Sequence, residues 1–304
     1  MNKNYLRNLM TAGSLFMMLA VVSCKKDDKP APVDNSISGI VASNPDFTIL
    51  NAGLVRAGLV EALAGGSLTV FAPDDDAFAA SGITLDAINT MPVATLDSIL
   101  KYHVVGALVP AAAVPASDAV TSLLGTSIFA SSNVNGVFVN GIAVKTADVA
   151  ATNGIIHIIE KVLIPPTQTI AGILAGNPDY TYLVAAVIKA GLLTAVSSPG
   201  KYTVFAPDND AFIAAGFATI DDINTADDAL ITAVVSQHVI TTNVFASDLT
   251  NNAMPTTLQG NTLTITLPPA RVKVSESANA ASDITGVNIT ATNGVIHYVA
   301  DVLL

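Results

Sequence analysis

The stretch LTVFAPDDDAF at Leu68–Phe78 returns as YTVFAPDNDAF at Tyr202–Phe212, with nine of eleven letters identical at an offset of 134 residues. Three further pairs keep the same order: NPDFTIL at 44–50 with NPDYTYL at 177–183, HVV at 103–105 with HVI at 238–240, and ATNGIIHIIEKVL at 151–163 with ATNGVIHYVADVL at 291–303. A period this long exceeds that of a solenoid repeat and is close to the ~100–150 residues that bury one core. The sequence therefore predicts two tandem domains, called here repeat 1 (36–166) and repeat 2 (167–304).

Each repeat is predicted to begin with helices and to continue mainly with strands. Apolar residues recur at helical spacing before residue 68, and a short β-branched and aromatic run over 68–71 predicts a buried strand. Helices are also predicted at about 93–102 and 229–237, and Asn-Gly pairs then separate several strand-like runs. The fold class that follows is α+β, with helices packed on a wedge of mostly antiparallel strands.

The repeated stretch also predicts how its strand ends and how the next helix begins. Proline stops the strand, the aspartate after it is placed to cap a helix, a second aspartate lies in the first turn, and a phenylalanine turns that helix onto the core. These structural roles fall on Pro73, Asp74, Asp76 and Phe78 in repeat 1 and on Pro207, Asp208, Asp210 and Phe212 in repeat 2.

The last strand of each repeat is predicted to be central in its sheet. The segment 154–164 carries apolar residues on both faces, and its copy in repeat 2 is expected to continue to Leu304. We therefore expect the C-terminal residues to be part of the core of repeat 2 rather than a tail.

The N-terminal segment indicates export. Residues 1–23 carry two bases, an apolar run and no acid, which is typical of a signal peptide and too short for a spanning helix. The stretch Val21-Val22-Ser23-Cys24 resembles a bacterial lipobox, which implies cleavage before Cys24 and lipid attachment to it. An ordinary secretory peptide with an incidental cysteine is the alternative. Residues 24–35, charged and proline-containing, are expected to form a lipidated flexible tether.

The charge of the chain disfavours nucleic acid as a partner. The full sequence has a formal net charge of −11, and removal of residues 1–23 leaves 11 bases against 24 acids. No basic stripe exists that would release counterions from phosphates. With a single cysteine, an intramolecular disulfide is impossible, so stability must come from packing.

Three motifs recur in the same order in the two repeats. They are Thr-Val-Phe-Ala-Pro-Asp-x-Asp-Ala-Phe, a Tyr-His step at Tyr102-His103, and a closing Asn-Gly-x-Ile-His, and repeat 2 departs from the second with Gln237 before His238. Together these motifs resemble the fasciclin domain. The resemblance implies an α+β wedge without cofactor or catalytic machinery, used in extracellular adhesion. It also implies a candidate interaction surface at Tyr102, His103 and His238, with the role in repeat 2 in doubt because the tyrosine is missing.

The four histidines fall into two environments, each used twice. His157 and His297 lie in the closing strands among Ile and Val, where a neutral imidazole can tie the strand to a neighbouring loop. His103 and His238 follow a helix, and interaction with its carbonyl end is the structural alternative to a binding role. The closing-strand environment supplies only one histidine per domain, which is fewer than the three or four ligands that zinc needs.

Neither a metal nor an enzymatic site is predicted. The runs at 74–76 and 208–210 invite a calcium interpretation, but they lack the EF-hand loop and its distal glutamate, and helix capping explains the outer aspartates. The nucleophile-elbow, zinc-helix, phosphate-loop and dinucleotide motifs are missing. We therefore expect no cofactor and no catalysis.

The function that the sequence favours is a non-catalytic adhesion or binding module on a lipid-anchored bacterial protein. We expect an outer-membrane lipoprotein exposed at the cell surface, with a periplasm-facing orientation as the alternative. The expected partners are extracellular matrix, polysaccharide or a cell-surface protein, and two domains on one anchor would raise avidity for a repetitive partner. A carbohydrate-capture lipoprotein for nutrient uptake and a structural spacer remain as alternatives, the former weakened by the lack of Trp.

Overall fold

Each repeat folds as helices followed by strands in a computed structural model, which describes residues 33–114, 118–275 and 277–304. The predicted signal peptide, Cys24 and most of the tether lie outside the described residues. Within the described ranges, no helix combines the length and the apolar character needed to cross a membrane. Residues Asp34–Leu304, which include both repeats, form one compact unit.

Repeat 1 places five α-helices and seven strands in the described residues. The helices are α1 (Ile37–Ser43), α2 (Thr48–Ala57), α3 (Asp75–Ala80), α4 (Leu85–Thr90) and α5 (Val93–Tyr102), with 3-10 turns at Pro45–Phe47, Glu61–Leu63 and Ala111–Ala113. The strands are β1 (Leu68–Pro73), β2 (Val104–Val105), β3 (Asp118–Thr121), β4 (Ser127–Asn133), β5 (Gly136–Val139), β6 (Ile142–Ala151) and β7 (Gly154–Ile159).

Repeat 2 follows the same plan. Its helices are α6 (Ile170–Ala175), α7 (Thr181–Lys189), α8 (Leu193–Ser197), α9 (Asn209–Ala214), α10 (Ile220–Thr225) and α11 (Asp228–Gln237), with 3-10 turns at Pro178–Tyr180 and Ala246–Asp248. Its strands are β8 (Tyr202–Pro207), β9 (Val239–Ile240), β10 (Leu263–Thr266), β11 (Arg271–Val274), β12 (Ser282–Ala291) and β13 (Gly294–Val299).

The two sheets share a six-strand topology, to which repeat 1 adds β3 at one edge, and the predicted α+β class is confirmed. Repeat 1 has the strand order β2-β1-β7-β6-β5-β4-β3, and repeat 2, read from the matching edge, has β9-β8-β13-β12-β11-β10. In each, the repeated strand lies parallel to the closing strand, β1 to β7 and β8 to β13, while the other pairs are antiparallel. The sheets are therefore mixed, and the closing strand is internal, as its apolar faces predicted.

Each sheet is covered on both faces, so each repeat has two apolar clusters. In β1, Val70 and Ala72 point to the cluster beneath the helices, whereas Phe71 points to a second cluster with Ile128 and Val139 on the other face. Repeat 2 has the same division. The alternation follows from the two-residue period of a strand.

The end of the chain corrects one expectation. β13 ends at Val299 and does not continue to Leu304. Val302 and Leu303 are nevertheless buried, with 8% and 4% of their surface exposed, so the C-terminal residues do belong to the core of repeat 2.

Candidate functional site

The three side chains expected to form an interaction surface lie in the interior. Tyr102 is 1% exposed, His103 2% and His238 1%. A partner on the outside cannot reach them in this conformation. The three side chains are buried because each lies at the end of a helix whose last turn packs against the sheet, and each forms hydrogen bonds toward the interior.

His103 joins the end of α5 to the segment after β7. Its Nδ1 lies 2.8 Å from the Ile99 carbonyl oxygen, and the Leu163 amide donates to its Nε2 at 2.9 Å. A ring that accepts at Nε2 and donates from Nδ1 is neutral. Burial lowers the pKa of His103 to about 4, although the Ile99 hydrogen bond opposes that shift.

His238 repeats this arrangement at the end of α11. Its Nδ1 lies 2.7 Å from the Val234 carbonyl oxygen, and the Leu303 amide donates to Nε2 at 2.8 Å. Burial lowers its pKa to about 4 as well. Both histidines therefore tie a helix end to the chain that leaves the central strand.

Tyr102 and Gln237 occupy matching places with different partners. The Tyr102 hydroxyl donates to the Ser127 carbonyl at 3.0 Å and accepts from Asn140 Nδ2 at 2.9 Å, and burial raises the pKa of Tyr102 to about 12. Gln237 Oε1 accepts from Asn261 Nδ2 at 2.8 Å, whereas its Nε2 has no partner in the described part of the chain.

His157 and His297 lie in the closing strands and bridge to the loop after the second strand of each repeat. His157 Nε2 lies 2.8 Å from the Val109 carbonyl, and His297 Nε2 lies 2.8 Å from that of Val244. The Asp148 amide also donates to His157 Nδ1 at 3.2 Å. In repeat 2, His297 Nδ1 is buried and finds no partner among the described residues, and burial lowers the pKa of His297.

The aspartates after the prolines are turned toward helix ends. Asp74 Oδ1 accepts from the Ala77 amide at 2.8 Å, and Asp208 Oδ1 accepts from that of Ala211 at 2.9 Å, so each caps its helix. The second oxygen of Asp74 pairs with Lys145 Nζ at 2.7 Å. Asp76 and Asp210 lie in the first turns, and Phe78 and Phe212 are buried beneath them.

These carboxylates do not gather into a metal centre. In the ranges that the structure describes, no group of three or more His, Cys, Asp or Glu side chains is placed to hold a metal ion.

Two asparagines that the sequence presents only as turn residues fix the start of each repeat. Asn153 Oδ1 accepts from the Ile37 amide at 2.8 Å, and Asn293 Oδ1 accepts from the Ile170 amide at 2.9 Å. Their position could have indicated this role, because both stand in the repeated ATNG, directly before the apolar closing strand.

The two repeats contact each other through the β4–β5 hairpin. Ser131 Oγ donates to Asp248 Oδ1 at 2.6 Å, and Asn133 Nδ2 donates to the Ser247 carbonyl at 2.7 Å. Phe129 also packs on Phe245, with ring centroids 5.9 Å apart. Polar and aromatic contacts therefore both join the two repeats.

An open cleft of about 480 Å³ lies beside this contact. Its walls come from the β5–β6 turn, from the segment after β7 and from β12 of repeat 2. The lining includes Phe138, Ile142, Lys161, Ile164, Val287 and Asn288. Ile164 and Val287 are 52% and 44% exposed, so two large apolar side chains face solvent in a concave surface.

The cleft was not predicted from the sequence because it forms between the repeats. Of its exposed apolar residues, Val287 lies in a stretch where the two copies differ, and Ile164 lies at the end of repeat 1. Ile164 was the one residue that could have indicated the cleft, because it is an apolar residue directly before Pro165-Pro166, in a joint between domains where polar residues are usual.

Comparison with known proteins gives two adjacent matches to one family. The sequence profile described as "Fasciclin domain" matches residues 45–165 and 178–304. Transforming growth factor-beta-induced protein ig-h3 of Sus scrofa is 30% identical over 242 residues, which are 79% of this chain and 35% of that protein. Protein sll1483 of Synechocystis sp. is 34% identical over 139 residues, which are 45% of this chain and 73% of that protein.

A solved structure is similar to most of the chain. The FAS1 domain pair from the insect cell adhesion molecule Fasciclin I aligns with a TM-score of 0.43 and 18% identity, covering 84% of this chain and 95% of that one. The chain spans about a third of the length of ig-h3, the first relative named above. The paired profile match covers most of the sequence, and the chain belongs to the Fasciclin domain family, with two such domains in tandem.

Proposed function

We propose that the chain is a non-catalytic binding module on the outside of a bacterial cell, and that the cleft between its two fasciclin domains is the surface that contacts the partner. The observation that carries this proposal is the cleft itself, an open concavity of about 480 Å³ at a domain boundary. Ligand sites occur preferentially at such boundaries, and they combine apolar walls with a few polar groups.

The walls of the cleft are held in place before any partner arrives. The Leu163 amide is fixed by His103, and the β5–β6 turn is fixed by the hydrogen bond between Asn140 and Tyr102. A surface that is already ordered loses less conformational entropy on binding. The buried Tyr-His pair thus supports the site indirectly, by positioning two of its walls.

The cleft offers both apolar and polar contacts. Ile164 and Val287 supply exposed apolar surface, and burial of such side chains contributes about 25 cal/mol per Å² removed from water. Lys161 and Glu160 stand exposed at the edge formed after β7, and Asn288 adds an amide. A protein or polysaccharide of the extracellular matrix or of another cell fits this mixture, whereas the net charge of −11 disfavours nucleic acid.

We also propose that Cys24 carries the lipid that attaches the chain to the outer membrane. The support is the sequence Val21-Val22-Ser23-Cys24 after an apolar run, together with the charged segment that follows. Mass spectrometry of the mature N-terminus should show a lipidated Cys24, and a Cys24→Ala variant should leave the membrane fraction. An unmodified N-terminus upstream of Cys24 would contradict the anchor.

The binding proposal is tested with the full chain and matched surface substitutions. Wild type, the double variant Ile164→Asp with Val287→Asp, and the control Val55→Asp are screened against glycans and matrix proteins. Val55 is 63% exposed on α2, away from the residues that line the cleft. A partner should bind wild type and the control alike. The double variant should bind at least about tenfold more weakly, since two apolar side chains that the partner would cover are replaced by charges.

Two outcomes would count against the proposal. Equal affinity of the double variant and wild type would remove the cleft from the contact surface. Turnover of a substrate by the purified protein would remove the non-catalytic assignment.

A further inference from the structure

The sequence contains four Asn-Gly pairs, and they differ sharply in how the asparagine is held. The pairs are Asn135-Gly136, Asn140-Gly141, Asn153-Gly154 and Asn293-Gly294. In an Asn-Gly pair the glycine has no side chain to obstruct attack of its backbone nitrogen on the asparagine carboxamide carbon. Asparagine is among the thermolabile residues for this reason. A carboxamide fixed by hydrogen bonds cannot rotate toward that nitrogen.

Asn140 is fixed inside repeat 1. It is 5% exposed, its Oδ1 accepts from the Phe129 amide at 2.9 Å, and its Nδ2 donates to the Tyr102 hydroxyl at 2.9 Å. Both ends of the carboxamide are therefore engaged by different segments of the fold.

Asn153 and Asn293, directly before the closing strands, are fixed in the same manner by the first helix of their own repeat. Each accepts at Oδ1 from the first helical amide, that of Ile37 or Ile170. Their Nδ2 groups donate to the carbonyls of Leu63 (2.7 Å) and, in repeat 2, of Val196 (2.8 Å). Asn293 is also 1% exposed.

Asn135 differs from the other three on every count. It is exposed in the turn between β4 and β5, and its side chain has no hydrogen bond to any described residue. Only its backbone amide is engaged, as a donor to Asn133 Oδ1 at 2.8 Å. The following Gly136 has a φ of +127°, a backbone conformation that glycine adopts readily and other residues rarely adopt.

We propose that Asn135 is a site of spontaneous deamidation, and that the fold protects the other three asparagines. The Gly136 nitrogen attacks Cγ of Asn135, a C–N bond forms, the bond from Cγ to Nδ2 breaks, and the nitrogen's proton leaves with the amide group as ammonia. Water then opens the cyclic imide at either carbonyl and yields aspartate or isoaspartate. The sequence of steps consumes one water and requires no oxidant, reductant or enzyme.

Conversion at Asn135 acts on the contact between the two repeats. Asn133, which accepts from the Asn135 amide, also donates to the Ser247 carbonyl at 2.7 Å. An isoaspartate lengthens the main chain by one methylene between residue 135 and Gly136, which disturbs the register in which Asn133 pairs with Gly136. The Asn133 side chain is then displaced from Ser247, so the product form holds the two repeats together less firmly.

The chemistry is tested on the full chain by incubation at mildly alkaline pH followed by peptide mapping. The mass increase of the amide-to-acid change is followed at all four sites, in buffer and in denaturant. In buffer, Asn135 should convert, and the other three should convert roughly tenfold or more slowly, because at least two hydrogen bonds must break first. In denaturant all four should convert at similar rates. Equal rates in buffer, or an Asn135 that stays an amide while the denatured chain converts, would overturn the proposal.

The structural consequence is tested with Asn135→Gln, which removes the site and keeps the backbone donor. After ageing, amide hydrogen exchange at residues 245–248 should rise in wild type and stay constant in Asn135→Gln. Unchanged exchange in fully converted wild type would refute the coupling between the hairpin turn and repeat 2.

Discussion

Acidification should weaken both repeats through the histidines that end α5 and α11. His103 and His238 are buried and neutral, with a pKa lowered from about 6.5 to about 4. Between these two values the unfolded chain binds a proton that the folded chain does not. Stability is therefore fully present above about pH 6.5 and falls as the pH drops toward about 4, by ~1.4 kcal/mol per pH unit for each histidine.

The full effect follows from the same numbers. A pKa lowered by folding from 6.5 to about 4 corresponds to about 3 kcal/mol per histidine. This is a large fraction of the ~5–15 kcal/mol that stabilises a typical domain. Protonation of Nε2 also removes the acceptor for Leu163 or Leu303, so the charged form cannot keep the native hydrogen bond.

The assay is urea unfolding of the full chain, followed by circular dichroism at several pH values between about 7 and 4.5, where the linkage operates. The comparison is with a double variant, His103→Gln with His238→Gln. The variant should be less stable near pH 7, and its unfolding free energy should depend less steeply on pH. Because carboxylates titrate alike in both proteins, the difference in slope isolates the histidines. Equal slopes would refute the reasoning.

Three further predictions concern single positions. Asn293→Ala should lower the unfolding free energy of repeat 2 by about 2–4 kcal/mol, since it leaves buried backbone groups unpaired. Thermal melting should show the lower stability, while the far-UV spectrum before melting stays close to that of the wild type. Leu303→Ala should cost about 2–4 kcal/mol, whereas Leu304→Ala, at an exposed position, should stay within about 0.5; equal losses would contradict the burial of the C-terminus. Lys145→Ala should cost less stability than Asp74→Ala, because the ion pair is exposed on the lysine side. Asp74→Ala should cost about 1–2 kcal/mol because it also removes a helix cap, and denaturant midpoints giving the reverse order would contradict the capping role.

The repeated stretch allowed much of the fold to be predicted. Helix α5 begins and ends where the apolar spacing predicted, at Val93 and Tyr102, and the proline-aspartate step ends β1 and caps α3. Local rules suffice there, because a cap or a strand end depends on neighbours in the sequence. The parallel pairing of β1 with β7 was beyond those rules, since it joins segments about 86 residues apart.

The candidate site was less predictable, for two physical reasons. Tyr102 and His103 look like an exposed polar pair in the sequence, and only the packing of α5 on the sheet shows that both are buried. The cleft depends on how repeat 1 and repeat 2 pack, and Ile164 and Val287 line it from opposite sides of that boundary although they are far apart in the chain. Periodicity within one repeat carries no information about a surface that two repeats share.

We expect a partner to bind in the cleft between the two fasciclin domains, and a hydrogen-exchange footprint can decide the claim. The full chain is measured with and without a partner found in the screen. We expect protection of the three cleft segments, 138–143, 160–164 and 287–290, which supply its walls. Protection confined to the helical layer around Val55, with the cleft segments exchanging as in the free protein, would contradict the claim.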